Sequence, residues 1–499
     1  MEHVDVLIVG AGISGIGAAV YLQKECPGKS YAILERRPNI GGTWDLFRYP
    51  GIRSDSDMYT LGFRFKPWTA RKAIADAPSI LTYLKETVEE YGIRDKIRHE
   101  MKVEAASWSS ETGLWTVKGT RGPGAAPFEM TATWYFNCTG YYNYDQGYLP
   151  DFKGMERFKG QIVHPQHWPE SLDYKGKKVI VIGSGATAVT VVPAMCDTGA
   201  GHVTMLQRTP TYMVSRPSED WFALGLRRFL PAKLAYKITR YRNVLMQQFV
   251  FNHVRRRPKQ AAEKLIGMVR DELGAEYDIK THFTPPYNPW EQRLCLVPDS
   301  DMFRVIRDGQ ADVVTDHIES FTEKGLLLTS GKELEADIIV TATGLNLQML
   351  AGVDIRVDGK PMKVGEHVLY KGIMFNDVPN LAMWFGYTNA SWTLKADLTS
   401  EYMCRLINHM DATGVRIAKP VIDQGDFELE NFVDFSSGYF QRAWDRLPKS
   451  GTKLPWKLHQ NYLKDVKLLR DGPITDAMAF SNPAPVRTAA PEPLLEAAE

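Results

Sequence analysis

Short uninterrupted apolar runs alternate along this chain with stretches of helical period. Val4–Val9 (VDVLIV) is such a run and reads as a strand buried on both faces. Helical spacing follows through Leu22, and Tyr31–Leu34 returns to a strand. The same order recurs later, with the apolar strand Lys178–Ile182, a helical run, and the strand His202–Leu206. Between the two units, residues 78–91 carry an amphipathic helical pattern with a proline tolerated in the first turn. Met101–Trp108 and Leu114–Lys118 read as strands of a β-meander, with a Gly/Pro-rich loop expected over Gly119–Pro127. Trp134–Cys138 runs into Thr139-Gly140, and Ala336–Thr341 runs into Ala342-Thr343-Gly344, the same strand-plus-glycine ending. Met302–Ile306 and Asp312–Thr315 read as a helix and a strand, and Gly386–Leu398 is expected to open a helix. The stretches Val4–Leu22 and Val179–Met195 carry Gly or Ser at a strand-to-helix turn. Neither is a clean run of about 20 apolar residues, so both read as buried βα units and not as membrane spans. The pattern defines an α/β chain with one duplicated βα unit and no solenoid repeat.

The turns inside those units carry the first chemistry. Gly10-Ala11-Gly12-Ile13-Ser14-Gly15 joins the first strand to its helix. In a GxGxxG turn the first glycine allows the tight bend, the second lets a pyrophosphate approach the backbone, and the third lets helix and strand pack closely. The helix N-terminus offers free N–H groups to the phosphates. Tyr31–Leu34 ends at Glu35, whose carboxylate can accept from a ribose hydroxyl. The second turn is Gly183-Ser184-Gly185-Ala186-Thr187-Ala188, continuing into Val189-Thr190, with alanine in the third small position. Its second strand ends at Gln207-Arg208-Thr209 instead of an acid. A cation there suits a 2′-phosphate, so NADPH is favoured over NADH; the bland alternative for Arg208 is a solvated surface cation.

Apolar residues make up 44% of the 499, enough to build a sizeable core. A net charge of +1 argues against a nucleic-acid partner. The five cysteines, Cys26, Cys138, Cys196, Cys295 and Cys404, show no CxxC or metal-ligand spacing. Neither a disulfide framework nor a zinc site is expected, and buried thiols in a reducing cytosol fit best. The opening MEHVDVLIVGAG has no basic region of the secretory type. From Trp221 to Ala262 there is no Asp or Glu, while Arg227, Arg228, Lys233, Lys237, Arg240, Arg242, Arg255, Arg256, Arg257 and Lys259 accumulate. Phe229, Leu234, Ile238, Tyr241, Leu245 and Phe249 recur there at helical spacing. This is expected to be an inserted helical subdomain. It can lie on an anionic membrane surface, act as a cationic lid over a phosphate-bearing cofactor, or be a solvated face. The protein is therefore expected to be cytoplasmic, with membrane association left open.

Two longer fingerprints surround these turns. Gly41-Gly42-Thr43-Trp44-Asp45-Leu46 leads to Tyr49-Pro50-Gly51 and Arg53-Ser54-Asp55, in the form GGxWxxxxYPGxxxD. Phe158-x-Gly160-x-x-x-His164-x-x-x-Trp168-Pro169 lies just before the second glycine turn. Alone, Trp44 could be an ordinary packed aromatic, Asp55 a turn residue, and the second segment a linker. Their combined spacing resembles the Baeyer–Villiger group of class B flavoprotein monooxygenases. YNPWEQRLCLVP and YTNASWTLKADL extend the resemblance over nearly the whole chain.

The resemblance implies FAD, NADPH and dioxygen as reactants, and an NADPH-binding domain inserted within the FAD-binding domain. The expected boundaries are 1–144 and 341–481 for the FAD-binding domain and substrate pocket and 145–213 and 282–340 for the NADPH-binding domain, with 214–281 read from its pattern as the helical insertion and 482–499 read from its composition as a flexible tail. The resemblance places Gly41, Gly42, Thr43, Trp44, Asp45, Leu46, Arg53, Ser54 and Asp55 at the flavin, and the backbone at Val103 at its adenine. It makes Phe158, Gly160, His164, Trp168 and Pro169 a linker that rearranges without doing chemistry. Arg293 falls at the family's arginine position. A permanently charged guanidinium suits the anionic C4a-peroxyflavin and the carbonyl adduct of ketone oxidation, and Asp55 could orient it. Many of these enzymes have Lys immediately before that arginine; here it is Gln292, which puts the strength of NADPH preference in question. Oxygenation of sulfides, thioamides or amines is the alternative activity, and a flavin-bound redox sensor without turnover is the alternative of another class. The physiological substrate and the oligomeric state stay open at this point.

Overall fold

The computed structural model describes residues 1–423, 427–433, 435 and 437–483. The predicted tail therefore lies outside the described residues from Ala484 onward.

Glu2–Val9 forms the central parallel strand of a large sheet. Val6, Leu7 and Ile8 are fully buried, so both faces of the strand are covered, as its apolar run requires. It pairs in parallel with Tyr31–Leu34 on one side and with Ala126–Asn137 on the other. Leu381–Met383 then joins Ala126–Asn137, also in parallel. Met101–Ser109, Leu114–Arg121 and Ala126–Asn137 make the antiparallel meander. The loop expected over Gly119–Pro127 is shorter than predicted. The ladder runs on through Gly119↔Phe128 to Arg121↔Ala126, leaving only a tight turn closed by Ala125 N–H to Gly122 O at 3.0 Å. Gly119 serves the ladder itself. A Cβ there would sit 1.9 Å from Lys102 O, beside the register shift between Val103 and Ala105.

The second sheet is parallel throughout, in the order Ala311–Thr315, His202–Gln207, Lys178–Ile182, Ile338–Thr341, Gln161–Val163. All five strands lie in sequence between Ala126–Asn137 and Leu381–Met383, two neighbours in the first sheet. One dinucleotide-type domain is thus inserted in another, within an α/β fold. The crossing is a two-stranded ribbon, Tyr142–Gly147 against Leu345–Leu347.

The helices Trp221–Leu226, Ala232–Arg256, Pro258–Leu273 and Ile279–His282 form the added helical part. One of its cations departs from the sequence pattern. Arg240 is buried, donating to the carbonyls of Tyr59, Thr60 and Gly62 at 3.0, 3.1 and 2.7 Å and to Asp397 Oδ2 at 3.0 Å. It fastens the helical part to the first domain. The helix expected to open within 386–398 starts at Trp392, because Gly386 packs against the Trp392 ring (a Cβ would lie 2.5 Å away) and the segment between them turns along a cavity. All five cysteines are free and buried. No helix among the described residues is long and apolar enough to cross a membrane.

Candidate active site

Both dinucleotide turns contribute to the lining of one cavity of ≈ 330 Å³, the first through Gly10, Gly12, Ile13 and Ser14 and the second through Ala186 and Thr187. In each turn the glycines divide by cause. Gly10 (φ +103°) and Gly183 (φ +131°) adopt a left-handed backbone, and a Cβ would lie 2.7 Å from Cys138 O and 2.4 Å from Ala342 O. A Cβ on Gly15 would sit 1.9 Å from Gly10 O, so helix and strand could not close. Ala188, in the equivalent place of the second turn, is fully buried. The middle glycines are different. Gly12 and Gly185 have φ of −79° and −78°, which any residue adopts. A Cβ on Gly12 would meet nothing closer than 3.6 Å, and one on Gly185 nothing within 4 Å. The protein's own packing does not require glycine at either place. Both are helix N-caps without a side-chain cap, so N–H groups of Ile13–Glu25 and Ala186–Asp197 stay free for a ligand. Two pyrophosphates fit that combination of open space and unsatisfied donors.

Glu35 is buried beside the first turn and lines the cavity. It accepts from Ala11 N–H at 2.8 Å and from Arg37 N–H at 2.9 Å, which holds the turn in shape and leaves lone pairs for a ribose. Burial raises its pKa, against the pull of those two N–H groups and the Arg37 charge. Gly10, Gly12, Ser14, Thr43, Trp44, Arg53, Ser54, Asp55 and Val103 also line the cavity, and the second domain contributes Ala186, Thr187 and Thr190. Asp45 and Leu46 do not line it. The Asp45 carboxylate is taken by Arg37 at 2.8 Å and Arg48 at 2.7 Å, so it braces the loop. Gly15, Gly183, Ser184, Gly185, Ala188, Val189 and Thr209 are likewise outside the lining, and Val189 is core.

The loop Tyr49–Asp55 is wedged between the domains. A Cβ on Gly51 would lie 2.5 Å from Ala194 Cβ, and Arg53 pairs with Asp301 of the second domain. Asp55 thereby reaches Arg293, with Oδ2 to Nη2 at 3.4 Å. Arg293 lines the cavity with 45% of its side chain exposed. Burial opposes its charge, but the Asp55 carboxylate beside it favours the cation, and its pKa is raised. The guanidinium is a fixed cation in a half-open, aromatic-walled space.

Several wall residues were not named as site candidates from the sequence, although Tyr387 and Trp392 lie in the YTNASWTLKADL segment that carries part of the resemblance. Trp392 donates to Ser14 Oγ at 2.8 Å and stacks on Tyr141 at 5.4 Å, and Tyr387 and Gln348 complete that side. Arg208 is exposed at the end of His202–Gln207 and makes no ion pair among the described residues. Ser184 Oγ donates to Thr209 O at 3.0 Å, which ties the backbone beside Arg208 to the second turn.

The linking fingerprint is explained by packing. A Cβ on Gly160 would collide with Asp337 O at 2.3 Å and with the Phe158 ring at 2.5 Å. Trp168 is buried on Tyr174. His164 Nδ1 accepts from Gln166 N–H at 3.2 Å, so Nε2 carries the proton and donates to Gly344 O at 3.3 Å. That contact lands on the ribbon where the chain crosses back, and burial lowers the His164 pKa. None of Phe158, Gly160, His164, Trp168 and Pro169 lines the cavity.

Two dinucleotide turns that reach one cavity and a cavity-lining arginine–aspartate pair define a two-cofactor oxidoreductase, and comparison with known proteins gives its family. Residues 73–376 match the flavin-binding monooxygenase-like family, and residues 8–71 match an NAD(P)-binding Rossmann-like domain. The chain belongs to the flavin-binding monooxygenase-like family and is a flavoprotein monooxygenase. It is 54% identical over 488 residues to the FAD-containing monooxygenase EthA of Mycobacterium tuberculosis, covering 97% of this chain and 99% of that one. It is 51% identical over 480 residues to the probable FAD-binding monooxygenase AlmA of Acinetobacter baylyi, covering 96% of each. Its fold is that of cyclohexanone monooxygenase bound to epsilon-caprolactone (TM-score 0.71, 22% identity, 84% of this chain and 90% of that one). It is also that of the OTEMO complex with FAD and NADP (TM-score 0.67, 22% identity, 84% and 88%).

Proposed function

We propose that this flavoprotein is a Baeyer–Villiger monooxygenase that uses FAD, NADPH and dioxygen to convert ketones into esters or lactones. The observation that carries the reading is Arg293, a fixed cation paired to Asp55 and facing the cavity that both glycine turns reach. The first turn, Glu35, Thr43, Trp44 and Val103 would hold FAD; the second turn and Arg208 would hold NADPH. Bound FAD supplies a redox centre that takes a hydride from NADPH and activates dioxygen. The protein's part is electrostatic and steric. Arg293 stabilises the negative charge that develops on a ketone oxygen as oxygen is inserted, a contribution of roughly 100- to 1000-fold in rate for one preorganised group. Asp55 keeps the guanidinium aimed. Trp44, Tyr141 and Trp392 wall the space beside Arg293. The test is product analysis with labelled dioxygen over a panel of ketones and sulfides. One labelled oxygen in an ester supports the reading. Turnover confined to sulfides or amines overturns it in favour of heteroatom oxygenation, and flavin reduction without substrate oxygenation overturns it in favour of a sensor.

A further inference from the structure

The inner face of the helix Ala232–Arg256 buries Ala235, Tyr236, Val244 and Val254 beside polar anchors. Besides Arg240, Asn243 Nδ2 donates to Asp57 Oδ1 at 3.0 Å, and Gln247 Nε2 donates to Asp57 Oδ2 at 2.9 Å. These bonds fix the helix about its axis, so the opposite face cannot roll inward. That outer face is apolar: Leu234, Ile238, Tyr241, Leu245 and Phe249 follow one stripe, and all are exposed. Tyr241 and Phe249 are 65% and 67% exposed, and in the segment just before the helix Trp221 and Phe229 are 76% and 86% exposed. Single exposed apolar residues are ordinary, but a concentration of large ones along one helix marks a surface that meets something.

The charges identify what it meets. Arg228, Lys233, Lys237, Arg256, Arg257 and Lys259 are exposed around the stripe, and there is no acid between Trp221 and Ala262. A second copy placed face to face would set these cations against their own kind. An anionic lipid surface satisfies both features, since the rings enter the headgroup boundary and the cations meet the lipid charge. We propose that this face docks the protein on an anionic membrane surface, with the helix lying in the interfacial plane. At 25 residues the helix is roughly 37 Å long, and it is not apolar enough to cross the bilayer. The inner side reaches the catalytic wall: Val244 packs with Tyr387 and Leu394, and Phe251 meets the Trp290 ring at 5.4 Å. The docking face and the cavity are thus the two sides of one layer. This placement does not depend on the reaction proposed above.

The experiment is flotation of the full, flavin-loaded chain with vesicles of phosphatidylglycerol and phosphatidylcholine, against pure phosphatidylcholine, with particle mass measured in parallel. Binding to the anionic vesicles is expected at least about tenfold above the neutral ones and should weaken with salt. Tyr241→Ser/Phe249→Ser should abolish it, and Lys233→Gln/Lys237→Gln should reduce it, with flavin content unchanged in both. No binding to anionic vesicles overturns the proposal, as does equal, salt-insensitive binding to both kinds. A dimer that Tyr241→Ser/Phe249→Ser converts to a monomer, without vesicle binding, overturns it in favour of a second copy.

Discussion

Arg293 and Asp55 stand 3.4 Å apart, although one comes from the second domain and the other from the loop Tyr49–Asp55 of the first. The cation therefore depends on correct docking of the domains, which Gly51 and the Arg53–Asp301 pair maintain. Arg293→Ala should leave FAD bound and NADPH oxidation running, while ester formation falls roughly 100- to 1000-fold. Oxygen consumed should then appear as hydrogen peroxide. Arg293→Lys should rescue poorly, since a flexible ammonium lacks the guanidinium fork. Ester yield per NADPH, with peroxide assayed alongside, checks this; near-normal ester from Arg293→Ala would remove the arginine from the mechanism.

The middle glycines separate the two cofactors. Nothing in the protein requires Gly12 to lack a side chain, so Gly12→Val should fold and yet lose its flavin. Gly185→Val should keep the flavin and lose NADPH-driven reduction. Flavin absorbance per protein and the rate of bleaching by NADPH read the two effects. Full flavin retention in Gly12→Val would sink the assignment of that turn.

Arg208 is exposed beside the second turn and free to meet a 2′-phosphate. Arg208→Ala should raise the KM for NADPH by the equivalent of about 1.5–3 kcal/mol, one charge-assisted contact, and leave NADH unchanged. An equal loss with both cofactors would show that Arg208 supports the fold and does not read the phosphate.

What the sequence disclosed follows from where each constraint lies. Gly10, Gly15, Glu35 and the strands beside them obey local rules of backbone angle, close approach and burial, and those rules are written in adjacent residues. Gln348 reaches the cavity only through tertiary packing, which no spacing announces, and the YTNASWTLKADL match held Tyr387 and Trp392 without marking them as cavity wall. Asp45 stood inside a matching fingerprint, but its carboxylate is committed to two arginines that the pattern did not involve. The helix Ala232–Arg256 shows a third limit. Periodicity gave its apolar stripe, but not which side of the helix faces the protein. Arg240 decided that, and it looked like one cation among ten.

Arg240 therefore supports the strongest stability prediction. Its guanidinium and Asp397 are both nearly excluded from solvent. Burial pushes the Asp397 carboxyl up to about 6 even with Arg240 beside it, whereas an unfolded aspartate titrates at about 3.9. The folded state thus binds more protons than the unfolded one between those values, and ionising Asp397 costs stability above them. Arg240→Met removes the compensating charge and three carbonyl contacts, so at pH 7.5 it should destabilise the first domain by about 3–5 kcal/mol. The Asp397 pKa should climb further in this variant. Lowering the pH from 7.5 toward 5 protonates the stranded carboxyl, so the deficit relative to the unmodified protein should shrink in that direction. Arg240→Met/Asp397→Leu should recover most of the loss, because no buried charge then remains. The measurement is the urea midpoint of flavin release at pH 7.5 and pH 5 for the three proteins. A deficit that does not change with pH, or a double variant no better than the single one, would show that Arg240 acts through its carbonyl contacts and not through Asp397.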